Sequence, residues 1–194
     1  MELKTYVADA IKTESLINGV DVDINNLIAI MKIFIAAGNL LDDTKKNVFY
    51  NKPINEDKWI NQIASISCNI DDITMVPDAM NNEPLDSIDP RLFHAIIGIA
   101  TESTELVEAI ITAIHDNTEI DGVNVREEIG DIGWYTAIAV DTIGADWDNI
   151  LTTNILKLKQ RYPDKFDALS AINRDLTAER TILEGNNYDG ETTQ

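Results

Sequence analysis

Apolar residues in this chain recur at spacings of three and four, and no stretch alternates apolar with polar. A helix returns to the same face every 3.6 residues, whereas a half-buried strand alternates, so the pattern predicts an all-α helical bundle. Helices are expected over about 3–16, 23–46, 56–71, 90–114, 124–145, 147–161 and 165–183. Asp146 is the expected N-cap of the helix that opens at Trp147, because its carboxylate can accept from the free amides of the first turn. Residues 74–89, which hold Pro77 and Pro84, read as a loop, and the polar stretch 185–194 reads as a frayed tail.

The 194 residues suit one helical domain over 1–184, with 44% apolar residues to build its core. A net charge of −19 argues against a nucleic-acid partner, since phosphate contacts need clustered Lys and Arg. No uninterrupted apolar run approaches the roughly 20 residues that span a bilayer, and Met1-Glu2-Leu3-Lys4 does not open a signal peptide. With Cys68 the only cysteine, no intrachain disulfide can form. The expected setting is the cytoplasm, without a membrane partner. Cys68 has no neighbouring His or basic residue and reads as buried and inert.

The acids carry more information than their number. In the helix 90–114, Ile99, Leu106, Ala109, Ile110 and Ala113 share one face. Glu102 lies on that face and Glu105 at its edge, while Glu108 points away as a solvated charge. The helix 124–145 is apolar nearly all round, which places it centrally, yet it carries Glu128 and Asp131. A buried unpaired carboxylate costs roughly several kcal/mol. Arg126 is the only Lys or Arg within 95–145, so a divalent cation is the simplest counter-charge. Acid pairs at i and i+3 arise by chance about six times in such a chain. It is their placement on the apolar faces of consecutive helices that points to an oxygen cage for Mg²⁺ or Mn²⁺.

The residues around these acids resemble a known family. Glu102-x-x-Glu105 and Glu128-x-x-Asp131 are similar to the ExxE and ExxD signature of MazG-like all-α nucleoside triphosphate pyrophosphohydrolases. These are relatives of dimeric dUTPases and phosphoribosyl-ATP pyrophosphohydrolases. Asn154-Ile-Leu-Lys157-Leu-Lys-Gln-Arg161-Tyr162-Pro163 resembles the family's distal Asn-x-x-Lys-Leu-x-x-Arg-Tyr-Pro segment. The match spans about 90–166. Ala36-Ala-Gly-Asn39-Leu-Leu-Asp42 and Asp43-Thr-Lys45-Lys46-Asn-Val-Phe-Tyr-Asn-Lys52 resemble the family's metal-binding and basic-loop segments with the glutamates lost. A shift of 66 residues pairs Ala36 with Glu102, Asn39 with Glu105, Gln62 with Glu128 and Ser65 with Asp131, without a gap. The chain therefore reads as a degenerate repeat over 20–73 followed by an active repeat over 88–166.

The resemblance implies Mg²⁺-dependent hydrolysis of a nucleoside or deoxynucleoside triphosphate to the monophosphate and pyrophosphate, in house-cleaning or nucleotide-pool control. It implies Glu102, Glu128 and Asp131 as metal ligands, and Glu105 as a ligand or the catalytic base; Glu128 is counted with the catalytic pair. Asn154, Lys157 and Arg161 would contact the triphosphate or support the metal shell, Tyr162 would help bind the substrate, and Lys45, Lys46 and Lys52 are candidate contributors. Trp134 and Tyr135 have two readings, stacking on the base or packing in the core. His94 reads as a satisfied core histidine. The partners expected are the nucleotide and either a second copy in a dimer or none, the chain itself forming a pseudo-dimer. The alternative reading is a non-catalytic nucleotide-binding or helical interaction module.

Overall fold

A computed structural model describes residues 1–15, 21–73, 82–84 and 88–185. Among these the fold is all-α. Its helices are α1 (Leu3–Ala10), α2 (Ile24–Tyr50), α3 (Glu56–Asp71), α4 (Pro90–Asp116), α5 (Gly122–Thr142), α6 (Trp147–Arg161), α7 (Ala168–Ile172) and α8 (Leu176–Gly185). A 3₁₀ turn, Ile11–Thr13, follows α1. Two three-residue strands, β1 (Asp21–Asp23) and β2 (Asn82–Pro84), form an antiparallel ribbon pairing Asp21 with Pro84. No alternating pattern announces them, because three residues are too few to set a period. Residues 74–81 and 85–87 of the expected loop, and all but the first residue of the expected tail, lie outside the described residues.

Asp and Asn side chains set the helix boundaries. Asp23 accepts from the amides of Asn25 and Asn26, Asn55 from Lys58, Asp89 from Arg91 and Leu92, and Asp121 from Val123 and Asn124. Asp146 accepts from Asn149 at 3.2 Å, as expected. Asp167 and Asp175 do the same for α7 and α8 at Ser170 and Ala178. These caps satisfy amides that the helix leaves free, and they explain part of the acidic excess. They also break the expected helix 165–183 in two. The expected helix 3–16 ends early, passing at Ile11 into the 3₁₀ turn.

Two long hairpins have matching boundaries. α2 and α4 each run 27 residues. Asp23 and Asp89 cap their starts, and Asn51 and Asn117 end them in the left-handed conformation, with φ of 54° and 53°. Asn55 and Asp121 then cap α3 and α5. Each of these pairs is separated by 66 positions.

The contacts divide the chain into two compact units, Met1–Val20 with Leu85–Thr152, and Asp21–Pro84 with Thr153–Gln194. In the first, α4 and α5 form the hairpin and α1 packs on α5. Its core is Ala95, Gly98, Ala137, Ile138 and Val140. A Cβ added to Gly98 would meet the Tyr135 ring at 2.2 Å, so only glycine lets that ring lie against the α4 backbone. Trp134 Nε1 donates to Thr13 Oγ1 at 2.8 Å, and the Tyr6 hydroxyl donates to the Gly130 carbonyl at 3.3 Å. Arg91 forks onto Glu14, at 2.8 and 2.6 Å, and reaches Asp141 at 2.9 Å. The first fifteen residues are thus tied to the α4–α5 hairpin.

Several expected faces differ. α5 is not buried all round: Ile129 is exposed, as are Gly130 and Asp131. On α4, Ile110 is exposed and shares a stripe with Ile96, Val107, Ile111 and Ile114, all exposed. His94 sits edge-on to Trp134 and Tyr135, but its Nδ1 is buried without a hydrogen-bond partner, so it is not satisfied.

In the second unit α2 packs on α3 and α7 on α2. Asn39 Nδ2 donates to Gln62 Oε1 at 3.4 Å across the α2–α3 pair. Tyr50, Phe166 and Tyr162 form an aromatic row with centroids 5.3 Å apart at each step. Cys68 is exposed rather than buried. By length and composition alone α2 is apolar enough to cross a membrane. A search for uninterrupted apolar runs misses it because Lys32, Asn25, Asn26 and Asn39 intervene.

Candidate metal centre

Glu102, Glu105 and Glu128 converge where α4 faces α5. One carboxylate oxygen from each lies within 4.8 Å of the others. The cause is helical spacing: Glu102 and Glu105 occupy neighbouring turns of α4, and the antiparallel α5 brings Glu128 alongside them. Oxygens sharing one Mg²⁺ at about 2.1 Å stand at most about 4.2 Å apart. Small side-chain rotations would therefore close the three around an ion, and an all-carboxylate donor set suits a hard cation.

Glu128 is the most constrained of the three, only 4% exposed. Burial pushes its pKa up, and the hydrogen-bonded carboxyl of Glu102 pushes it further up, with the charge of Glu127 adding to this. The Asn124 amide opposes the rise, donating to Glu128 Oε1 at 2.5 Å. Two carboxyls in contact cannot both ionise freely without a cation between them. Sequence reasoning missed Asn124, although its position one turn before Glu128 was legible as an i, i+4 partner.

Asp131 is exposed and lies outside the three-carboxylate group. Its charge is felt nearby: burial and then Asp131 raise the pKa of Tyr6, and burial, Glu102 and Asp131 in turn raise that of Tyr135. Trp134 is half-buried and committed to Thr13, His94 and Tyr135, an environment that fits the packing role.

A cleft of about 390 Å³ opens beside the group. Glu105, Glu108, Glu119, Asp121 and Asn124 are among its lining residues, and no Lys or Arg is. Glu108 therefore borders a cleft instead of open solvent alone. A polyphosphate could enter such a cleft only with cations to offset its charge.

The other expected site residues belong to the second unit. Lys45 pairs with Asp42 at 2.7 Å, and Lys46 pairs with the same carboxylate. That holds Asp42 down at about 2 and raises Lys45. Lys52 is half-buried just past the end of α2, its carbonyl accepting from Asn47 at 2.9 Å. Asn154 and Lys157 are half-buried on α6. Arg161 donates to Glu179 at 2.8 Å and lies 5.6 Å from the Tyr162 ring centroid. The structure brings Glu102, Glu105 and Glu128 together. Comparison of the chain with protein-family models, curated proteins and solved structures finds no match.

Proposed function

We propose that the α4–α5 hairpin is a divalent-metal centre that hydrolyses a nucleoside triphosphate, giving the monophosphate and pyrophosphate. The observation that carries the reading is the convergence of Glu102, Glu105 and the buried Glu128 in a helix pair otherwise packed through small and apolar residues. The resemblance of these acids to the MazG-like signature supplies the reaction class. Glu102 and Glu128 would hold Mg²⁺ or Mn²⁺, with Asn124 fixing Glu128, and Asp131 would join them or act from just outside. The ion would offset triphosphate charge and polarise the α-phosphorus. Glu105, exposed at the cleft, would be a third ligand or would take a proton from the attacking water at a carboxylate oxygen. The bond formed is water oxygen to α-phosphorus, and the bond broken is α-phosphorus to the oxygen bridging it to the β-phosphorus, which leaves with pyrophosphate.

The second hairpin would be a repeat without ligands, making the chain a pseudo-dimer. Its support is the 66-residue offset shared by the starts and ends of α2 and α4 and by the starts of α3 and α5, and the pairing of Asn39 with Gln62 where the first hairpin sets Glu105 against Glu128. Neutral side chains there avoid burying charge.

A second reading has its own observation. The exposed stripe of Ile96, Val107, Ile110, Ile111 and Ile114 on α4 favours a helical interaction module or self-association. Pyrophosphate release from a nucleotide panel, with Mg²⁺ and with EDTA, separates the two. The enzyme reading expects metal-dependent release that Glu128→Gln abolishes. Absence of release from every nucleotide leaves the non-catalytic reading, a nucleotide-binding or helical interaction module.

A further inference from the structure

The cleft beside the carboxylates has room for more than an ion. Its volume of about 390 Å³ falls within the roughly 300–1,000 Å³ of small-molecule sites. It begins at the metal centre, where it is lined by Glu105 and by Asn124, the side chain that holds the buried Glu128. From there it runs over Ala109 and Ala113 toward the C-terminal end of α4. These two stand about one turn apart on one helix face, so their small side chains make a floor that a flat ring can approach. The loop after α4 forms the far end, tied down by the Thr118 amide donating to the Ala113 carbonyl at 3.0 Å.

A nucleoside triphosphate has an anionic end and a base end, and this cleft distinguishes them. No Lys or Arg lines it, whereas Glu105, Glu108, Glu119 and Asp121 do. Such walls repel phosphates, so a triphosphate held by the metal would extend away from the cleft and leave the base to enter it. Carboxylates only accept hydrogen bonds, so they select a base edge made of donors. Guanine offers two N–H donors side by side, at N1 and the 2-amino group, which the two oxygens of one carboxylate take together. Thymine and uracil offer one N–H between two carbonyls, which a carboxylate repels.

The position of each acid decides which one meets the base. Glu105 belongs to the metal centre, and Asp121 is engaged in capping α5 through the amides of Val123 and Asn124. Glu108 stands only about 4.5 Å along the axis from Glu105, where the sugar would lie. Glu119 follows Thr118 beside Ala113, about 12 Å along the axis from Glu105. No ion pair or hydrogen bond engages its carboxylate among the described residues. Resting on the proposed triphosphate hydrolysis at the metal centre, we infer that this cleft is a base site selecting guanine nucleotides, with Glu119 accepting from N1–H and the 2-amino group.

The substrates dGTP and dITP differ only in that amino group. With Mg²⁺, kcat/KM for dGTP should exceed that for dITP by roughly ten-fold or more, the contribution of a hydrogen bond to a charged group. Glu119→Gln should bring the ratio near one, since an amide has one acceptor where the carboxylate has two. Equal values for dGTP and dITP in wild type, or a preference that survives Glu119→Gln, overturn the base site and leave the hydrolase reading standing. If no nucleotide releases pyrophosphate, the hydrolase reading falls, and the base site is read alone by NMR titration of the full chain with deoxyguanosine and with deoxyinosine in EDTA. Deoxyguanosine should shift the Ala113 and Thr118 amides more than deoxyinosine does; equal shifts, or none, overturn the base site.

Discussion

Asn51 and Asn117 each end a 27-residue helix in the left-handed conformation, and they stand 66 positions apart. That conformation costs a residue with an ordinary Cβ roughly 1–2 kcal/mol, which Asn partly avoids and Gly avoids altogether. Asn51→Ala and Asn117→Ala should each destabilise by about 1 kcal/mol in urea unfolding, while the glycine variants should match or exceed wild type. Equal stability of the alanine and glycine variants would contradict the left-handed ends.

Gly98 and Tyr135 fix how closely α4 and α5 approach. A methyl group at residue 98 would overlap the ring, so Gly98→Ala should destabilise by about 1–3 kcal/mol. Tyr135→Ala in the same chain should remove most of that penalty, and denaturant unfolding of the two single variants and the double variant measures the coupling.

Acid should loosen the second unit through Glu179. Its two arginine partners hold its pKa at about 2, below the ordinary 4.5. A carboxylate depressed on folding contributes stability that is full above its unfolded pKa and lost as pH falls through the folded one. The loss should therefore run from about pH 5 down to about pH 2, and Glu179→Gln should flatten that part of the profile. An identical acid-unfolding profile in the variant, followed by circular dichroism, would contradict it.

Glu128→Gln should leave the metal-free protein at least as stable as wild type, because it removes repulsion from Glu102 and Glu127. Wild type should melt higher in excess Mg²⁺ than in EDTA, since an ion bound only by the folded state stabilises it by mass action. The variant should lose that difference. Coincident wild-type melting curves in Mg²⁺ and EDTA would count against the ion.

The helices and much of the carboxylate group were legible because they rest on local rules. Asp146 as a cap follows from one residue and its neighbours, and Glu102 and Glu128 stand out by interrupting apolar faces. The break at Asn173–Asp175 carried the same signal, an Asp before a short helix, but the apolar spacing across it masked the stop. The attachment of α1 to α5 was not legible. It depends on the Tyr6 hydroxyl reaching the Gly130 carbonyl, 124 residues away. The segment after α1 is likewise held by Trp134 meeting Thr13 and Arg91 meeting Glu14, contacts 121 and 77 residues apart in the chain. Gly98 was visible in sequence, but its partner Tyr135 follows only from the way α5 turns back along α4. Exposure was misjudged at Ile110, Ile129 and Cys68, because periodicity marks a face without saying what covers it.

The claim that Glu102, Glu105 and Glu128 form a metal centre is tested most directly by Mn²⁺ titration of the full chain, with free ion followed by electron paramagnetic resonance. The prediction is one saturable site per chain that is lost in Glu102→Gln and in Glu128→Gln, while Asn39→Ala and Gln62→Ala leave it intact. Mn²⁺ binding that persists unchanged in both glutamate variants, or no saturable binding in wild type, would contradict the account.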